Sequence, residues 1–335
     1  MDSMTQKEAK ENFASKAKKI APYIAIAFAL ISYLGFVGDF VSTEGPKPDK
    51  IVTNYTLFSI LTDFSFSTCF LIWIGVLLPA AGIALILVNE LVIKNNNITF
   101  CAASTMAISC IILFITKDLY LYGSKLTISF ALWGVWMPVF LALSAFTLVL
   151  STLSEEQYTV ADICECGMLI AMAFVLNFIK LFSMPTGGSI NLQMIPLFIL
   201  ALRRGPIKGF LACGIIYGLL TCLTDGYGLA TFPFDYLIGF GSTCILGFAS
   251  KFVFSSERKT YDLFGILVII GAGIAATVVR LFGSTVSSMV LYDYGFVDAI
   301  IYNATYIPLQ GLFALVFLVA IYGPLQNLNK LYPVR

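Results

Sequence analysis

The chain is predicted to be an all-α polytopic membrane protein, and three observations carry that prediction. It has 335 residues of which 59% are hydrophobic, and a mean hydropathy of +0.90, above what soluble domains show. Apolar runs of about 18 residues or more, enough to cross a hydrocarbon core of roughly 30 Å, recur along most of its length. Backbone polar groups must be satisfied inside lipid, and runs this long and uninterrupted do so as helices rather than barrel strands.

Ten spans follow in order. The polar, mixed-charge start MDSMTQKEAKENFASKAKK precedes the first, and the run after it is too long for a signal-peptide core, so it reads as a retained span. The first four run from about Ile20 to Phe40, Phe66 to Asn89, Ile98 to Thr116 and Leu126 to Ser151. The acidic stretch SEEQYTVADICE then marks the best domain boundary, dividing an N-terminal module, 1–157, from a six-helix domain, 158–335. The second half gives Ile163 to Phe182, Ile190 to Leu202, Pro206 to Leu223, Tyr236 to Phe254, Leu263 to Tyr292 and Ala299 to Tyr322. The segment from Ile190 to Leu202 is short for a full crossing, so it is expected to tilt, break or bury against neighbours.

Lysine and arginine near span ends set orientation. With the N-terminus inside, Arg203, Arg204, Lys208, Lys251, Arg258, Lys259, Lys330 and Arg335 all fall on the cytoplasmic side, together with the C-terminus. Arg203 and Arg204 are read as topology anchors. The segments MPTGGS, TDGYGLATFPFD and YDYGF then share the outer side, where a scavenged nutrient arrives.

Composition also excludes chemistry. The net charge of +1 offers no basic face for nucleic acid. There is no histidine, which removes the commonest general base and metal ligand. Cys69, Cys101, Cys110, Cys213, Cys222 and Cys244 lie in apolar runs as small hydrophobes, and the pair Cys164 and Cys166 has no second pair to complete a zinc site. No G-x-x-x-x-G-K-[ST] loop is present to hold nucleotide. The expectation is no catalytic residue, no metal and no cofactor.

Polar groups inside spans are costly and mark function by default. Asp235 opens the run FDYLIGFGSTCILGF, Arg280 interrupts LVIIGAGIAATVVRLFGSTVSS, and Asn303 sits in IIYNATYIPLQG beside Tyr302 and Tyr306. A carboxylate, an amide and the rings of Tyr227, Tyr292, Tyr294 and Tyr306 suit a flat, cationic heteroaromatic ligand. Blander roles stand beside these: Asp235 as a helix cap, Arg280 paired with Asp293 or Asp298, Asn303 as an interhelical tie, and the tyrosines as an interfacial belt. Gly187 and Gly188 make MPTGGS a flexible turn, either a plain loop or a lid. Gly167 and Ala171 form a small-x-x-x-small pair on one face of the fifth span, for a partner helix or for packing within the bundle.

From Tyr158 onward the chain resembles the substrate-binding subunits of energy-coupling factor vitamin transporters, especially the thiamine-specific ones. GGSINLQMIPLFILALRRGPIKGFLACGIIYGLL resembles the family's first loop through third helix, FPFDYLIGFGSTCILGF its fourth helix start, and IIYNATY its last helix. The resemblance implies capture of a vitamin-like small molecule, thiamine or a related pyrimidine, in a bacterial plasma membrane. It also implies partnership with a transmembrane coupling subunit and two ATPase subunits. It gives Asp235 and Asn303 ligand-binding roles and places Gly167 and Ala171 at the coupling-subunit docking motif. The chain departs from the thiamine-specific pattern at several points. Trp73, Trp133 and Trp136 all lie in the first half, Ser284 stands where a pocket histidine is usual, Tyr292 stands near a tryptophan position, and Asn191 replaces an acidic residue. The first four spans have no counterpart in the family's minimal subunits. An ion-coupled secondary transporter and a ligand-free structural protein are the competing readings.

Overall fold

The computed structural model describes residues 19–36, 38–44, 52–62, 69–115, 127–184, 188–254, 262–292 and 294–333. Among them, nine helical stretches are long and apolar enough to cross a membrane. The chain divides into two compact units, Met1–Glu155 and Glu156–Arg335.

The first unit has four spanning helices: α1 (Lys19–Phe36), α3 (Cys69–Val88), α4 (Asn96–Phe114) and α5 (Leu132–Glu155). A short helix, α2 (Leu57–Thr62), precedes the second span. Within lipid the helices cannot be driven together by hydrophobicity, so close packing and interhelical hydrogen bonds must do it. Gly75 lies against Ile112, and Gly82 against Thr105 and Met106. Ser144 donates to the Ala25 carbonyl at 2.9 Å and Tyr33 to the Val76 carbonyl at 2.9 Å. The connections hold a small antiparallel sheet that hydropathy alone did not predict, β1 (Asp39–Glu44), β2 (Val52–Thr56) and β3 (Thr127–Phe130) in the order β2-β1-β3. Val41 pairs with both Tyr55 and Phe130. A small cavity is lined by Asn89, Glu90, Lys94, Asn96 and Thr99, where α3 runs into α4.

The second unit begins with α6 (Val160–Phe178), whose start is fixed by a capping box. The Thr159 hydroxyl accepts from the Asp162 amide at 3.2 Å, and the Asp162 carboxylate accepts from the Thr159 amide at 3.0 Å. The strands β4 (Lys180–Ser183) and β5 (Ser189–Asn191) follow as an antiparallel hairpin.

The helical stretch Met194–Asp225 is two antiparallel limbs, α7 (194–204) and α8 (206–225). Gly205 breaks them apart at φ 81° and ψ 178°, a shape only glycine adopts readily. Three contacts set the antiparallel register. Gly209 lies against Ala201, Cys213 Sγ approaches the Leu197 carbonyl at 3.7 Å, and the Tyr217 hydroxyl donates to Gln193 Oε1 at 2.5 Å. The α7 limb rises only about 16 Å, at about 1.5 Å per residue. It therefore does not span alone, and buries most of its surface instead: Leu197, Phe198, Leu200, Ala201 and Leu202 are fully enclosed. This resolves the expected pair of separate spans into one folded-back hairpin.

Next come α9 (Leu229–Val253) and α10 (Leu263–Tyr292). The pair α11 (Phe296–Ala304) and α12 (Ile307–Ala320) makes the last span, and α13 (Tyr322–Leu331) follows. Glycines set the close crossings. A side chain at Gly247 would strike the Gly205–Pro206 backbone, and one at Gly311 would strike Thr277. The α9 stretch is π-helical over Phe232–Ile238, the segment that carries Asp235; such turns recur at functional sites because they re-aim a side chain.

Candidate binding site

The α9, α10 and α11 segments bring one polar cluster together inside the second unit. Ser284, Ser287 and Ser288 fall at helical spacing on one face of α10. The Ser287 hydroxyl donates to Asp235 Oδ2, and Ser284 also reaches the Asp235 carboxylate. Asn303 is 2% exposed. Its Nδ2 donates to Ser288 Oγ and to the Ala299 carbonyl, each at 2.9 Å. Its Oδ1 accepts from the Tyr306 hydroxyl at 2.8 Å. Arg280 is 7% exposed, lies 5.0 Å over the Phe240 ring, and interacts electrostatically with Asp235, Tyr217 and Tyr306. The pairing of Arg280 with Asp298 is not formed: Asp298 is exposed on α11. Asp293 lies outside the described residues.

Tyr227 and Tyr292 stand at the periphery, 51% and 47% exposed, yet Tyr292 is within electrostatic range of both Asp235 and Tyr227. Tyr294 and Tyr302 stack at 6.1 Å, and Tyr302 meets Tyr306 edge-on at 6.2 Å. The result is a chain of rings leading toward the half-buried Asp235.

The β4–β5 loop is tied to this cluster. Gly188 has φ +83°, and a side chain there would sit 2.7 Å from the Tyr306 ring. Its carbonyl accepts from the Met184 amide at 3.0 Å. Gly187 lies outside the described residues. Gln310 on α12 donates to the Ser189 carbonyl and to Asn191 Oδ1 at 3.3 Å. Asn191 donates to Asn177 Oδ1 at 2.9 Å and to Ser189 Oγ at 3.3 Å, and accepts from the Gln193 amide at 3.4 Å. Both of its donors and both acceptor sites are used by the protein. Asn191 is thus the clasp of the loop, apart from the group around Asp235.

A second charged group sits at the start of α6. Arg203 and Arg204 both pair with Glu165, Arg204 also pairs with Asp162, and Lys208 reaches Asp162 at 2.9 Å. The arginines read as topology anchors also tie α6 to the α7–α8 hairpin. On the other side of α6, Gly167 and Ala171 are exposed, and nothing lies within 4 Å of where a Gly167 side chain would begin. That pair is not used for packing within the unit. Among the described residues no group of three or more His, Cys, Asp or Glu is placed to hold a metal ion.

A helical fold with many candidate spans and a hydrogen-bonded polar cluster inside its second unit is that of a polytopic membrane protein. The chain belongs to the family described as Thiamine transporter protein (Thia_YuaJ), which it matches over residues 163–330. It is 28% identical over 156 residues to the thiamine transporter ThiT of Bacillus subtilis, covering 42% of this chain and 80% of that protein. A solved structure of ThiT from Listeria monocytogenes is 25% identical, with a TM-score of 0.44, covering 49% of this chain and 94% of that one. The matched region lies within the second unit and bears out the resemblance to thiamine-type substrate-binding subunits.

Proposed function

We propose that the second unit captures thiamine or a related pyrimidine between Asp235 on α9, Arg280 and Ser284 on α10, and Asn303 and Tyr306 at the last span. The observation that carries this reading is Asp235. It is an acid within a membrane span, held by Ser287 and facing a buried arginine, where an uncompensated carboxylate has no structural reason to be. Tyr227 and Tyr292 line the approach. Gly188, seated against the Tyr306 ring, belongs to a lid loop, and ligand favours the closed state by binding it better than the open one. Asn191 acts by holding that loop.

Uptake then depends on a separate coupling subunit and two ATPases, because the chain has no phosphate-binding loop of its own. The exposed Gly167 and Ala171 face of α6 is the docking surface for the coupling subunit, since small residues let a partner helix approach closely. The protein works in a bacterial plasma membrane with both termini cytoplasmic. Replacing Gly167 and Ala171 with leucine is expected to abolish uptake in cells while thiamine binding to the purified protein is retained. Joint loss of binding and uptake would remove the docking role.

A further inference from the structure

Hydrogen-bonding capacity left over in the cluster is unevenly distributed. Asn303 keeps only one neutral acceptor site: its amide donates to the protein and its carbonyl accepts from Tyr306. Ser288 donates to the Ser284 carbonyl at 2.9 Å while accepting from Asn303. Ser287 is used by Asp235. Two charged groups remain. The Asp235 carboxylate takes protein hydrogen bonds from Ser287 and Ser284, and a carboxylate has about four acceptor sites. Arg280 Nη1 is buried with no partner. The two side chains interact electrostatically but form no ion pair among the described residues. A spare acceptor and a spare charged donor thus stand close together without touching.

That pattern is the complement of a 4-aminopyrimidine edge, in which an amino donor sits beside a ring-nitrogen acceptor. We infer that such an edge bridges Asp235 and Arg280, its amino group donating to the carboxylate and its ring nitrogen accepting from Nη1, and that the site selects the neutral aminopyrimidine over the cationic thiazolium. The inference rests on the capture reading above and specifies its ligand. A buried donor left unpaired is costly, so an acceptor placed against Nη1 is favoured. A ligand cation, by contrast, would feel the Arg280 charge at low dielectric. The Phe240 face that could have received a cation is already covered by the guanidinium. No tryptophan from the second half of the chain is available to replace it.

The test is calorimetric titration of the detergent-purified full chain with two probes, thiamine and its neutral half, 4-amino-5-hydroxymethyl-2-methylpyrimidine. The unaltered protein is expected to bind the neutral pyrimidine at least as tightly as thiamine. Arg280→Met should weaken the pyrimidine by about ten-fold or more and weaken thiamine less, so that the ratio of the two affinities falls, with Arg280→Lys restoring part of the loss. Thiamine binding about ten-fold tighter than the pyrimidine in the unaltered protein would overturn the inference. So would an Arg280→Met variant with an unchanged ratio. The first comparison needs no variant and stands if Arg280→Met does not fold. Thiamine binding without pyrimidine binding sinks this inference and leaves capture intact, whereas binding of neither compound sinks both.

Discussion

The two units handle buried polarity in opposite ways. In the first, the buried polar side chains among the described residues are Ser32, Asn89, Thr99, Ser109, Ser144, Ser151 and Thr152, all uncharged. Several of them tie helices to one another, as when Ser144 holds Ala25 or Asn89 donates to Thr99 at 2.9 Å. In the second, Asp162, Arg203, Lys208 and Arg280 are buried, alongside Asn177, Asn191, Gln193, Asn303 and Gln310. Hydroxyl ties are enough to assemble a bundle in lipid, so charge at that depth needs a further cause. At α6 the cause is mutual pairing; around Asp235 and Arg280 pairing is incomplete, with Arg280 Nη1 left without a partner, and that is the gap the proposed ligand would fill.

Breaking the ion cluster should have the largest effect. Asp162→Ala strips Arg204 and Lys208 of a partner and removes the capping box, and is expected to destabilise the second unit by about 3–5 kcal/mol, read as a lowered unfolding temperature in detergent. Asp235→Asn keeps the shape but removes the charge. It should weaken ligand binding about 10- to 100-fold, the 1.5–3 kcal/mol range of a hydrogen bond to a charged group, with little change in unfolding temperature. Gly188→Ala forces a side chain into positive φ and onto the Tyr306 ring, a strain of about 1–3 kcal/mol, and should appear as faster ligand release in a stopped-flow chase. Ser144→Ala in the first unit should be the mildest change, costing about 1 kcal/mol of stability and leaving binding untouched. If Ser144→Ala changed affinity, the division of labour between the units would be wrong.

Much of the fold is readable from hydropathy, because lipid leaves helices little alternative. The Gly205 hairpin is half readable. The Gly-Pro pair after two arginines announces a break, while the fold-back depends on contacts such as Gly209 on Ala201. The β1–β3 sheet escapes notice because its strands are short connections whose pairing partners, such as Val41 and Phe130, lie far apart in the chain. In the candidate site, Asp235, Arg280 and Asn303 stand out as polar breaks in apolar runs. Ser287 does not, since a serine is unremarkable in a span until Asp235, 52 residues earlier, is seen to accept from it. Gln310 is seven residues beyond Asn303, a spacing that hints at a shared face, but its partner Asn191 is 119 residues away. The pairing of Arg203 and Arg204 is not legible for a different reason: a cytoplasmic anchor and an ion-pair partner leave the same mark in a sequence.

The most direct measurement is a thiamine titration of three purified full-length proteins: the unaltered chain, Asp235→Asn, and Glu90→Gln in the small cavity of the first unit. Binding that is weakened in Asp235→Asn and unchanged in Glu90→Gln is the predicted result. Binding that survives Asp235→Asn, or that is lost in Glu90→Gln instead, would contradict the assignment of capture to the second unit.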